Sequence, residues 1–395
     1  MSELKVTLIG ALLIAIGPIS MALYTPALPE LVRYFETTDA MAKMTVTLYF
    51  AGFAAAQLVC GPLSDGLGRR PVIVGFMVIY VFACLLILFA PTIELMLAAR
   101  ALQGVGAAMG IAISRAIVRD VFADARSFRI MNLMGLFIAI APAIAPAIGG
   151  LTLEVAPWRT LFAMMALMGV AAIFVAIFSL RETVTRDLSR IKPRALLSSY
   201  RELLATPYFM LASLVIACAV GAVYALATIL PFVLMKQVGL SPTGFGFSQI
   251  LQAGMFVLGA VVVQAALPRT GADKLVPVGL GLVLTGCVSL VVLLSLWGPT
   301  FFSVMGPIAL YSFGVAFIMP AMLTNSLMPF PTIAGAASAL TAFLQMAIGL
   351  LGSALAALFT DPSLALAVIL PVMGIVAAVC WHFWRKLPVP NLGRR

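Results

Sequence analysis

Gly61-Pro62-Leu63-Ser64-Asp65-Gly66-Leu67-Gly68-Arg69-Arg70-Pro71 is a short basic turn between two long apolar runs. The run before it, Lys43–Leu63, and the run after it, Pro71–Ala90, are each close to the ~20 residues that carry a helix across about 30 Å of hydrocarbon. Inside the turn, glycines supply the backbone angles of a tight reversal. Asp65 can pair with a nearby arginine or sit at the positive amino end of a helix. Arg69 and Arg70 can bond the carbonyl ends and acids of neighbouring helices. Contacts of this kind break and reform when helical bundles rock.

Working outward, runs of the same length recur along the whole chain. The first six are expected near Val6–Leu28, Lys43–Leu63, Pro71–Ala90, Leu95–Val118, Ile130–Leu153 and Trp158–Leu180. Six more follow near Pro207–Leu234, Phe247–Leu267, Leu275–Leu296, Thr300–Asn325, Ile333–Phe359 and Ser363–Trp384. The composition agrees: 63% of the 395 residues are hydrophobic and only 10% are charged. An ordinary soluble domain carries about a quarter charged residues. The expected fold is therefore an all-α integral membrane protein of twelve transmembrane helices in two pseudo-symmetric six-helix bundles. The one strongly polar linker holds Arg181, Arg186, Arg190, Lys192, Arg194 and Arg201 beside Glu182, Asp187 and Glu202. It divides the chain into a bundle over 1–180, a basic cytoplasmic linker over 181–206, and a second bundle with a short cytoplasmic tail over 207–395. Two helical halves of similar size suggest a duplicated architecture, though the second half shows no visible copy of the Asp65–Arg70 turn.

The formal net charge of +10 is a topology signal. Lys5, Arg69, Arg70, Arg115, Arg119, Arg126, Arg129, the linker cations, Arg269, Lys274, Arg385, Lys386, Arg394 and Arg395 all fall on one side if loops alternate. Arg33, Lys43, Arg159 and Lys236 fall on the other. Basic residues favour the cytoplasmic side, so both termini are expected there, in a multi-pass protein of the cell inner membrane. This removes nucleic acid as a partner. Cys60, Cys84, Cys218, Cys287 and Cys380 lie far apart inside apolar runs, and His382 is the single histidine, so neither a metal nor another cofactor is expected. Paired acids, a histidine cluster or a nucleophile at a membrane face would mark an enzyme. None is evident, which leaves a membrane enzyme or sensor as a distant alternative.

The quoted turn resembles the loop signature G-x-L-x-D-R-x-G-R-R of the major facilitator superfamily, with Gly66 where a basic residue usually stands. Arg100-Ala-Leu-Gln103-Gly104 is similar to the R-x-x-Q-G segment of drug-efflux members. Pro142-Ala-Ile-Ala145-Pro146-Ala-Ile-Gly149-Gly150 resembles the antiporter segment P-x-x-G-P-x-x-G-G, with Ala145 for its middle glycine. Tyr24-Thr25-Pro26-Ala27-Leu28-Pro29 looks like drug:proton antiporters of the bicyclomycin- and chloramphenicol-resistance type. Those relatives carry an Asp two residues before the tyrosine, where this chain has Ala22. The resemblance implies a secondary transporter exporting small amphiphilic drugs or metabolites by alternating access. Protons are its expected coupling ion and the monomer its expected state. A dedicated exporter or importer of one natural metabolite is the alternative.

None of the 14 Asp and Glu residues falls near a predicted bilayer midplane, and Arg100 is the only deeply placed charge. Gln103 lies one turn from it. Two readings stay open: a cavity-lining Arg100 that binds substrate, or an Arg100 satisfied by carbonyls and Gln103. Further candidates for an apolar substrate pocket are Met21, Tyr24, Phe53, Gln57, Asn132, Tyr224, Phe232, Gln252, Met255, Tyr311, Phe313, Asn325 and Gln345. Gating is expected of Asp65, Arg69, Arg70, Arg115, Asp120, Pro142, Pro146, Gly149 and Gly150. With Ala22 in helix one, Glu94 and Asp120 become the candidates for proton coupling.

Overall fold

A computed structural model describes residues 3–122, 125–185, 187 and 193–390, and all its regular structure is helical. The chain divides into two compact units, Met1–Leu196 and Leu197–Arg395. Eleven elements among the described residues are long and apolar enough to cross a membrane. The helix Ala125–Val155 takes the remaining place in the chain order, and its Ile140–Val155 portion is apolar. This is the twelve-helix arrangement expected from the run lengths.

In the first unit α1 spans Glu3–Ala22, followed by a 3-10 turn at Thr25–Ala27 and the short α2 at Leu28–Tyr34. The sequence suggested one unbroken helix there. Pro26 and Pro29 break it, because a proline inside a helix lacks the N–H and clashes with the preceding turn. α3 (Asp39–Leu67) and α4 (Arg69–Leu88) are joined by Gly68 alone, at φ 102°. The fourth run forms α5 (Ile93–Ala107) and α6 (Met109–Val121), interrupted at Ala108. α7 is Ala125–Val155 and α8 is Arg159–Phe178. The Thr38 side chain accepts the Met41 N–H and caps α3 about a turn before the apolar run begins. Lys43, expected at the outer edge of the membrane, is consequently inside the helix and buried.

Between the two sets of spans lies α9 (Pro193–Leu204), an amphipathic helix that the polar composition of the linker did not suggest. The second unit continues with α10 (Pro207–Pro231), which ends in a π-helical turn over Phe232–Gln237. α11 (Pro242–Thr270) and α12 (Ala272–Trp297) are joined by Gly271 at φ 75°. α13 (Phe301–Leu327), α14 (Ala334–Ala356) and α15 (Pro362–Trp384) complete the unit. α10 is its spine, packed by α13, α14 and α15, and it contributes Val215, Ile216, Leu226, Ile229 and Leu230 to the core. Outward faces of both units stay apolar, as at Phe82, Phe174, Leu258 and Val288, which suits contact with lipid tails.

Candidate functional site

The first unit is built around a buried charge. Arg100 on α5 has no exposed surface. Its guanidinium lies 4.1 Å from the Tyr24 ring centroid and 4.4 Å from that of Tyr49. It donates to the carbonyls of Thr45 and Ser20, each at 3.3 Å, and to Gln103 Oε1. Gln103 Nε2 in turn reaches Cys84 Sγ at 3.1 Å and Met165 Sδ at 3.3 Å. The Tyr24 hydroxyl donates to Thr45 Oγ1 (3.0 Å), which itself donates to the Ala42 carbonyl. The Tyr49 hydroxyl donates to the Gly17 carbonyl, and Ser20 Oγ meets the Tyr80 hydroxyl at 2.5 Å. No carboxylate partners Arg100 among the described residues, and its Nη2 has no hydrogen-bond partner. A buried ion normally costs several kcal/mol after relaxation. Two aromatic faces in a desolvated setting return about 2 kcal/mol or more each.

Glycines allow this enclosure. A methyl group on Gly52 of α3 would overlap the Ala101 carbonyl of α5, and one on Gly104 would overlap the Tyr49 carbonyl. The two helices therefore touch backbone to backbone, as small residues permit in membranes. That contact brings the Tyr49 ring over Arg100. Gly149 of α7 likewise sits on the Leu23 carbonyl and beside Pro26, and Gly110 of α6 on the Leu13 carbonyl. The Pro142–Gly150 segment thus seats the end of α1, with Pro142 and Pro146 inside α7 and Gly150 buried.

A second cluster closes the opposite, basic end of this unit. Arg69 bridges Asp65, Ser64 Oγ (2.7 Å) and Asp120 Oδ2 (3.0 Å). This ties together α3, α4 and α6. Arg70 donates to the Ile177 carbonyl at the end of α8 (2.7 Å). The first linker residues complete the cluster. Glu182 accepts the backbone N–H groups of Arg69 (2.8 Å) and Arg70 (3.0 Å), which are otherwise free donors of the first turn of α4. The Thr183 hydroxyl donates to Asp120 (2.8 Å), and the Asp187 N–H to the Gly66 carbonyl (3.0 Å).

Of the sequence-derived candidates, the structure brings together Tyr24, Arg100 and Gln103 in one cluster and Asp65, Arg69, Arg70 and Asp120 in the other. Met21, Phe53 and Gln57 are buried on α1 and α3, and Gln57 Oε1 is unpartnered. Glu94 is exposed in the first turn of α5, and Arg115 is exposed on α6. The side chain of Asn132 lies outside the described residues. In the second unit the Tyr311 hydroxyl donates to the Ala219 carbonyl (3.1 Å), a helix-packing role. Phe313 packs on Phe317, and Phe232 is buried. Gln252 is buried on α11, Met255 is half-buried there, and Tyr224, Asn325 and Gln345 are half-buried on α10, α13 and α14. Sequence reading missed Ser20, Thr45, Tyr49, Tyr80 and Glu182. The paired glycines at 52 and 104 were the one available signal for Tyr49. Glu182 carried none.

Residues 10–353 match the family model described as Major Facilitator Superfamily. The chain belongs to the major facilitator superfamily. It is 27% identical over 386 residues to multidrug resistance protein D of Escherichia coli K12, covering 96% of this chain and 95% of that protein. It is 30% identical to multidrug resistance protein MdtL of Salmonella paratyphi A (85% and 83% covered), and 29% identical to a chloramphenicol resistance protein of Pseudomonas aeruginosa (82% and 77%). Among solved structures, a D-xylose–proton symporter superposes with a TM-score of 0.74 at 15% identity, covering all of both chains. As a member of this superfamily the chain is a secondary active membrane transporter and not an enzyme.

Proposed function

We propose that this transporter exports small amphiphilic molecules, drugs or metabolites, in exchange for protons, by alternating access. The observation that carries the export reading is the seating of the Pro142–Gly150 segment on the end of α1, where Gly149 meets the Leu23 carbonyl. That segment is the one resembling the exporters' motif, and here it has a definite mechanical position. The names of the similar proteins, multidrug and chloramphenicol resistance, support the substrate class. The Asp65–Arg69–Asp120–Glu182 cluster supports a gate at the basic end, made of contacts that a helix movement would exchange. Met21, Phe53, Gln57, Tyr224, Gln252, Asn325 and Gln345 remain the proposed substrate contacts, while Arg100, enclosed by Tyr24, Tyr49 and Gln103, acts on substrates only through the field of its charge. Asp120, which accepts from Arg69 and Thr183, and Glu94, exposed in the first turn of α5, remain the proposed proton-coupling residues. The protein works as a monomer in the inner membrane with both termini cytoplasmic, as the basic residues indicate.

The test is uptake into inverted vesicles under an imposed pH gradient with a panel of amphiphiles of different charge. Gradient-driven accumulation of several unrelated compounds is expected. Transport of one metabolite alone would replace the multidrug reading with that of a dedicated carrier. Insensitivity to the pH gradient would remove the proton.

A further inference from the structure

α9 is exposed in an unusual way for a polar linker. Leu197 is 69% exposed and Leu204 52%, while Leu203, on the other side of the helix, is fully buried. Leu197, Arg201 and Leu204 are spaced by four and three residues, so they form one ridge. Arg201 is exposed between the two leucines. Only Ala205 and Thr206 separate α9 from α10, an apolar span that starts at Pro207. The ridge therefore stands at the edge of the membrane. α15 ends at the same level, because Tyr208 in the first turn of α10 packs on Trp384 with ring centroids 5.2 Å apart. Phe383, 56% exposed, and the exposed Arg385 and Lys386 follow there. The Arg385 guanidinium lies over the Trp381 ring (4.9 Å) and Lys386 Nζ is 5.9 Å from that of Phe383. Glu202 is exposed as well, but it points about 100° around α9 from Arg201. His382, also exposed, lies 3.4 Å from an Arg385 nitrogen.

We propose that Leu197, Arg201, Leu204, Phe383, Arg385 and Lys386 form a docking surface of the second unit for acidic phospholipid headgroups. Apolar side chains beside guanidinium groups, held at the edge of a span, match a headgroup–acyl boundary. There the leucines and Phe383 enter the acyl edge, and Arg201 forks onto phosphate oxygens. In water the same ridge would hold large apolar surface against solvent for no return. The proposal needs the chain to span a membrane and is independent of what it carries.

The five native cysteines are buried, so a Leu197→Cys variant of the full chain can carry a fluorescent label in vesicles. The vesicles are made of phosphatidylcholine alone or with phosphatidylglycerol. Lipids spin-labelled close to the headgroup should quench the label strongly, and aqueous iodide weakly. Retention of phosphatidylglycerol over phosphatidylcholine by the purified protein should fall by on the order of tenfold or more when Arg201, Arg385 and Lys386 are all changed to Gln. The Lys-for-Arg double variant should keep most of it. Iodide quenching without lipid quenching would overturn the membrane contact and point to an aqueous face, as for a soluble partner. Equal retention of both lipids, or retention unchanged in the triple variant, would overturn the acidic-headgroup assignment.

Discussion

Arg100 and the glycines beside it set the chemistry of the first unit at the scale of single residues. The guanidinium is held by geometry that a shorter-armed or point-like cation cannot reproduce, since it reaches Ser20, Thr45 and Gln103 at once. Arg100→Lys keeps the charge and loses the fork, leaving buried groups unpaired at ~1–3 kcal/mol each. The Lys variant should therefore unfold at a lower temperature than the parent in the same detergent, and thermal unfolding of the two decides it. A Lys variant as stable as the parent would show that Arg100 is not held in this way. Gly104→Ala drives a methyl into the Tyr49 carbonyl, and overpacking of this kind costs about 1–3 kcal/mol. A lowered melting temperature is expected, with weaker transport following from displacement of Tyr49. An Ala variant with full stability would mean that α3 and α5 are not in backbone contact.

At the scale of elements, the turn between α3 and α4 is a joint with four attachments: Asp65 and Asp120 on Arg69, Arg70 on the Ile177 carbonyl of α8, and Glu182 from the linker. Asp65→Asn and Glu182→Gln should each lower turnover more than they raise the apparent KM, because both belong to the proposed gate and neither to the proposed substrate contacts. Glu182→Gln should also speed amide exchange at Arg69 and Arg70, whose N–H groups it caps. Unchanged turnover and exchange would make the linker strap passive. On the second unit, Asp361 joins the start of α15 to the end of the π-helical turn through Gln237 (2.7 Å), and it caps α15 through the Ser363 N–H (2.9 Å). Slight burial pushes its carboxyl up. Hydrogen bonds from Ser363 and Gln237 outweigh that and hold it below the ordinary 3.8. Its contribution is thus present above the ordinary value and lost as pH falls through the lowered one. Asp361→Ala should cost ~0.5–2 kcal/mol near neutral pH. The difference from the parent should shrink in acid, as melting curves from neutral pH downward would reveal. The sequence made these elements legible to different degrees. Run length placed the spans, and the Asp65–Arg70 spacing placed the joint. The strap was illegible because Glu182 is far in sequence from the N–H groups it caps. The backbone shows one likeness that the sequence motifs did not: Gly271 stands alone between α11 and α12 as Gly68 does between α3 and α4.

For the molecule as a whole, the described carboxylates sit near helix ends, in the short α2 or in loops, while Arg100 and Lys43 are buried in the first unit. A permanent lipophilic cation would meet no buried counter-charge and would pay its full desolvation cost. Neutral, zwitterionic and anionic amphiphiles should therefore be carried better than monocations of equal size. High-affinity transport of a permanent monocation, unaltered in Arg100→Ala, would refute this. The packing that produces such an interior recurs in both units. Gly52, Gly104, Gly110 and Gly149 lie against carbonyls in the first, as do Gly259, Gly279, Gly286 and Gly314 in the second. The genetic code gives these positions a history of their own. Every single-base change in a glycine codon that alters the residue installs a β-carbon or ends translation, so no one-step neighbour fits. Such codons can drift only at the silent third base. A saturation library of this gene should therefore read at those eight positions as one amino acid in shifting nucleotides, while the lipid-facing positions around them trade freely among Leu, Val, Ile and Phe.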